Sequence, residues 1–227
     1  MITILVKAAD GTLIASAQSA DDARLCIDRA YEDGDTVEIL ADKKHLCVQM
    51  DVTLLPGEVY LLNGRMTWRV PVGEHRLAYA PGAFEAKRHV ITARPMTTEE
   101  INGRRDIACN PADLRGETDF FPHITANVET RNEACFCARN AINGLHCNNY
   151  HGEWPFGSWG IGAREDAWCR IDFGRDVTVD AMALILRADF PHDAYWVSGH
   201  VVLSDGAEVT FDLQKTGERQ IIPLGKH

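Results

Sequence analysis

Residues 168–186 read WCRIDFGRDVTVDAMALIL. Apolar and polar side chains alternate through WCRIDFG (168–174), pause at Arg175-Asp176, and resume in VTVDAMALILRA (177–188). Period-two patterning on both sides of a turn predicts two β-strands. Segments of a different kind bracket the pair. ARNAINGLHCNNYHGEWPFGSW (138–159) precedes it and RADFPHDAYW (187–196) follows it. Both are rich in turn formers, and both mix aromatic rings with amides, imidazoles and charges. Polar-aromatic loops flanking paired strands predict a ligand-binding rim on a β-sandwich.

Working outward, WVSGHVVLS (196–204), AEVTFDLQ (207–214) and RQIIPL (219–224) read as further strands, with a tight hairpin turn at Asp205-Gly206. Upstream, ITANVET (124–130) alternates, while CFCARNAI (135–142) has helical character ended by Asn143-Gly144. Many short strands with Gly/Asp turns predict an antiparallel jelly-roll sandwich. The N-terminal part is also β-rich. Residues 2–7 and 12–16 flank the hairpin signal Asp10-Gly11. ADDARLCIDRAYEDG (20–34) is the one predicted helix, with Asp21 and Asp22 near its start and Gly34 beyond its end. TVEIL, HLCVQMDVTLL, EVYLLN and MTWRVPV then read as strands, with Asn63-Gly64 as the strongest hairpin turn. RLAYAPGAF (76–84) and RHVITARP (88–95) extend this unit. From Thr97 the alternation lapses, and Thr97 or Thr98 is placed to cap a short helical turn through Glu100. A boundary near residue 105 divides a 1–105 domain from a 106–227 domain.

Charge is unevenly distributed. Up to Arg105 there are 13 basic and 15 acidic residues, a net of −2; beyond it 10 basic and 18 acidic residues give −8. An acidic second half disfavours phosphate backbones and anionic lipid, so neither nucleic acid nor membrane is expected as a partner. No run approaches the roughly eighteen apolar residues of a membrane span, and the first residues lack a basic leader pattern. A cytoplasmic location is therefore expected. The cysteines at 26, 47, 109, 135, 137, 147 and 169 are odd in number, which favours reduced thiols, and Cys26 and Cys47 have apolar neighbours that predict burial. Cys135-Phe-Cys137 with His146-Cys147 lacks the usual C-x-x-C zinc spacing, and no metal site is assigned there.

The second half resembles discoidin-like domains, also called coagulation-factor type C domains. The resemblance rests on Ala138–Gly144 (ARNAING), Trp159, Trp168–Gly174 (WCRIDFG) and Thr178–Met182 (TVDAM), and it covers about residues 106–224. With PHITANVET and RADFPHDAYW added, the chain looks like bacterial two-domain proteins carrying a galactose-binding-like fold. The resemblance implies a jelly roll that binds carbohydrate at loops on one end. Where the family's turn carries an aspartate that helps hold a structural calcium, this chain has Asn143. An amide is a weaker ligand than a carboxylate for a hard cation, so no cofactor is expected, with calcium as the alternative. Such domains also continue about where this chain stops, at His227, which implies an open sheet edge, a strand supplied from the N-terminal unit, or missing last strands.

A sugar offers hydroxyls that donate and accept, together with apolar C–H faces, so its site needs planar polar side chains and an aromatic plate. Tyr150, Trp154 and Trp196 are the candidate plates; Asn149, His151, Arg187, Asp189, His192 and Asp193 are the candidate polar contacts. His123 is an additional candidate from an earlier loop. Trp168, which begins an alternating strand, is read as core. Four of the five tryptophans fall between 154 and 196, and that clustering carries the expectation of a glycan or small-sugar site. The sequence has no H-E-x-x-H, G-x-S-x-G or phosphate loop, so non-catalytic binding is preferred. A metal-dependent or carboxylate-based glycan-active enzyme is one alternative. A protein–protein assembly module, including an edge-paired homodimer, is another.

Overall fold

Ile2, Ile4 and Val6 are buried while Thr3, Leu5 and Lys7 are less so, and this alternation sets the first strand of an antiparallel sandwich. In the computed structural model, which describes residues 1–187 and 194–227, the chain is mostly β. One sheet runs in the order β2 (Leu13–Ser19), β1 (Ile2–Lys7), β4 (Thr36–Ala41) and β7 (Arg65–Arg69). The facing sheet runs β3 (Ala23–Ile27), β8 (His89–Pro95), β5 (His45–Gln49) and β6 (Gly57–Tyr60). All neighbours are antiparallel. Between the sheets lie Ile4, Val37, Ile39, Met66 and Trp68 from one side and Leu25, Leu46, Val48, Val59 and Ile91 from the other. Each such aliphatic side chain contributes about 1.5–3 kcal/mol on burial. Trp68 also satisfies its indole N–H, which donates to the Ala112 carbonyl at 3.0 Å.

Two sequence expectations are corrected here. The predicted helix over 20–34 is instead β3: Ala23, Leu25 and Ile27 point inward, and Arg24 and Cys26 point out. Period two wins because the opposing core accepts every second side chain; Cys26 is consequently exposed. Asn63-Gly64 does turn the chain, with Gly64 at φ 68°, but it closes no hairpin. β6 pairs with β5, while β7 crosses to pair with β4 in the other sheet. Leu61 and Met66 both enter the core across this turn, so burial decides where the outgoing strand goes. The first hairpin forms as expected, with Gly11 at φ 85° and Thr12 N–H bonded to the Asp10 carboxylate at 2.9 Å. The short helix α1 (Thr98–Asn102) has Thr97 as its cap, and Glu100 answers with a bond to the Thr97 N–H.

Beyond α1 the chain packs back on the sandwich. Ala112, Leu114, Phe120, Ala134 and Cys137 join its core. Tyr60 and Phe121 exchange two backbone hydrogen bonds of 2.7 and 3.0 Å. Arg139 is buried, donating to the carbonyls of Asp113 and Pro111 at 2.7 and 2.9 Å and lying 4.5 Å from the Tyr79 ring centre. The later strands form three antiparallel pairs. β9 (His123–Ala126) pairs with β10 (Cys169–Asp172), β11 (Ala181–Leu184) with β14 (Gln220–Pro223), and β12 (Ser198–Val202) with β13 (Glu208–Asp212). Asp205-Gly206 closes the last pair as a hairpin. No helix among the described residues is long and apolar enough to cross a membrane.

Candidate functional site

The 138–159 segment begins as scaffold. Ala134–Phe136 and Ala138–Ala141 form 3-10 turns in place of the longer helical run the sequence suggested. Asn140 is buried and donates to the Ala134 carbonyl at 2.9 Å. Asn143, also buried, accepts the Leu145 N–H at 2.8 Å, which fixes the turn into Gly144 at φ 80°. Side chains that draw attention for their amide density therefore hold backbone in place. Further on, the Ser158 and Gly160 N–H groups bond to the carbonyls of Cys135 and Phe136 at 3.1 and 3.0 Å. Gly160 lies so close to Thr130 that an added Cβ would meet its Oγ1 at 2.5 Å. The loop is thus pinned at both ends.

Between these pins the side chains turn outward. Tyr150 is 58% exposed, stacks on the His151 imidazole with ring centres 5.3 Å apart, and meets Phe156 edge-on at 5.5 Å. Trp154 is 37% exposed, and Asn149 is also exposed. Two contacts tie this loop to the second one. Asn148 Nδ2 donates to the Leu186 carbonyl and to the Gly217 carbonyl, both at 2.7 Å. Trp159, whose indole N–H bonds to the Val128 carbonyl at 2.8 Å, meets Trp196 edge-on at 5.5 Å. Asn148 secures the start of the second loop beside Arg187, and the tryptophan pair secures its end.

Of the nine sequence-predicted contacts, Asn149, Tyr150, His151 and Trp154 lie on the first loop, with Arg187 and Trp196 at the two ends of the second. Asp189, His192 and Asp193 lie outside the described residues. Tyr195, which sequence reasoning passed over, adds a 37%-exposed ring next to Trp196; only its place beside Trp196 in an aromatic-rich loop could have flagged it. Asn148 stood among several amides, and nothing in the sequence singled it out as the one that joins the loops.

Two expectations fail for physical reasons. Trp168 is 50% exposed, not core. Among the described residues β10 pairs only with β9, and Trp168 is held through its backbone by reciprocal bonds with Asn127 at 3.2 and 2.9 Å. His123, read as a loop contact, is bonded to Asp113 instead. It is buried at the start of β9, and its Nδ1 donates to Asp113 Oδ1 at 2.7 Å. Burial disfavours its charged form, yet the hydrogen bond and charge of Asp113, reinforced by Asp172, outweigh this and raise its pKa above 6.5. Among the described residues, no group of three or more His, Cys, Asp or Glu side chains is arranged to hold a metal ion.

No protein-family model, curated protein or solved structure matches the chain.

Proposed function

We propose that the protein binds carbohydrate without catalysis, at a rim made by residues 146–159 together with Arg187 and residues 194–196. The joining of these two loops by Asn148 and by the Trp159–Trp196 contact is the observation that carries this reading. Exposed rings at Tyr150 and Trp154 supply apolar plates for sugar C–H faces, and Arg187 with Asn149 and His151 supplies planar polar groups for hydroxyl pairs. The resemblance to discoidin-like domains points to the same ligand class. A glycan array, followed by tryptophan fluorescence titration with each glycan that binds, tests the reading. Arg187→Ala combined with Trp196→Ala is expected to abolish binding while leaving a cooperative thermal unfolding transition. Unchanged affinity in that variant would reject the site.

A second reading, an assembly module, is favoured by one observation. Val197, Val202 and Ile221 on or beside the later strands are each about 60% exposed. Such apolar exposure on short two-stranded ladders suits burial against another protein surface. Sedimentation across a dilution series discriminates the two, because a sugar-binding monomer keeps its mass.

A further inference from the structure

Tyr60 closes β6 where the first sandwich meets the Phe173–Arg175 turn, and cations converge on its ring. The Arg175 guanidinium lies 4.8 Å from the ring centre and the Lys44 ammonium 5.8 Å. The His45 imidazole meets the same ring edge-on at 5.0 Å. Arg105 approaches closely enough for its charge to bear on both His45 and Arg175. The Glu58 carboxylate stands against them, and its Oε2 accepts from Arg105 Nε at 2.5 Å. Arg175 is half-buried, and its hydrogen bond goes to the Phe173 carbonyl at 3.1 Å. Among the described residues no carboxylate forms an ion pair with it.

The remaining space has a definite size. His45, Glu58, Tyr60, Phe121 and Arg175 line a cavity of about 10 Å³ beside the Tyr60–Phe121 backbone bonds, and the Glu58 carboxylate in that lining is held by Arg105. That volume holds about one oxygen-sized atom. A partly desolvated guanidinium beside like charges is destabilising until a negative charge reaches it. In a chain of net charge −10, such a concentration of positive charge is a local exception.

We propose that this pocket is an oxyanion site, in which one oxygen of a carboxylate or phosphate group enters the cavity and accepts hydrogen bonds from Arg175. His45, which shares the lining, supplies a neighbouring donor, and the Tyr60 ring packs against the guanidinium. The site is separate from the loop rim and does not depend on the sugar reading.

The full-length protein is titrated with sodium acetate and with inorganic phosphate, each against sodium chloride at matched ionic strength. Thermal midpoint and the NMR titration of the His45 ring protons are followed. Burial first, then the charges of Arg175 and Arg105, hold the His45 pKa below its usual value, so a bound anion moves it up. At about a hundredfold excess over Kd, the midpoint should rise by roughly 5–10 °C with at least one oxyanion. Arg175→Gln should erase both shifts. A response to acetate alone identifies a carboxylate ligand, to phosphate alone a phosphate ester, and to both a general oxyanion site. Responses no larger than those to chloride, or responses that survive Arg175→Gln, overturn the proposal. If Arg175→Gln does not fold, the His45 titration of the unaltered protein decides, and an unmoved His45 overturns the site.

Discussion

Buried ionisable side chains of the middle segment find partners in two different ways. Arg139 is satisfied by carbonyl oxygens and by the Tyr79 ring, an arrangement that needs no carboxylate. His123 depends on Asp113 instead, and its raised pKa links protonation to folding. Because the folded pKa lies above the unfolded value of 6.5, the stabilisation is fully present below that value. It is lost as pH rises through the folded pKa. Denaturant midpoints should therefore fall between mildly acidic and mildly alkaline pH, and His123→Gln should flatten that slope at an overall cost of about 1–3 kcal/mol. A slope unchanged by the substitution would place the titrating group elsewhere.

At the scale of elements, β3 shows what a linear pattern can and cannot say. Ala23, Leu25, Cys26, Ile27 and Ala30 give a short, imperfectly amphipathic helix with Leu25 off the common stripe, and the acidic start with a late glycine completes that local picture. The same residues also fit a strand in which Cys26 is spared burial, and the choice is made by β8, its partner in the sheet. Leu25→Ala should cost about 2–5 kcal/mol in chemical denaturation, whereas Cys26→Ser should stay within about 0.5 kcal/mol. Comparable losses at both positions would contradict the strand. Asn63-Gly64 repeats the lesson, since a turn signal states that the chain reverses but not which sheet receives it. By contrast, β1, β2, β4 and the Asp205-Gly206 hairpin are legible because alternation and turn chemistry agree locally. The loop rim is legible only as composition. That Asn148, rather than Asn149 or Asn143, bonds across to Leu186 depends on tertiary placement, which no local pattern encodes.

For the molecule as a whole, burial is concentrated early. Most fully buried side chains lie in the first sandwich and in the segment packed on it, while among the described residues from β11 onward the buried apolar side chains are Leu186, Leu213, Ile222 and Leu224. Local opening costs least where few apolar contacts must be broken. Amide hydrogen exchange should therefore be slowest in β1, β4, β5 and β8 and faster by at least tenfold in β12 and β13. Uniform protection along the chain would contradict this gradient. The rim proposed for sugar binding spans this gradient: its first loop is pinned to the buried segment at Cys135 and Phe136, and Trp196 leads into the less protected strands.

The Trp159–Trp196 contact carries its own signal. Indole rings 5.5 Å apart and tilted by 74° lie close enough for their electronic transitions to couple. Coupling of this kind splits the ultraviolet dichroism of the pair into bands of opposite sign, and the splitting fades steeply with separation. Trp159 and Trp196 thus form an optical gauge built into the chain, which reports without any label whether the two loops remain together. Trp196→Phe should remove the split signal. In the unaltered protein, a change in its amplitude on adding ligand would report loop movement directly.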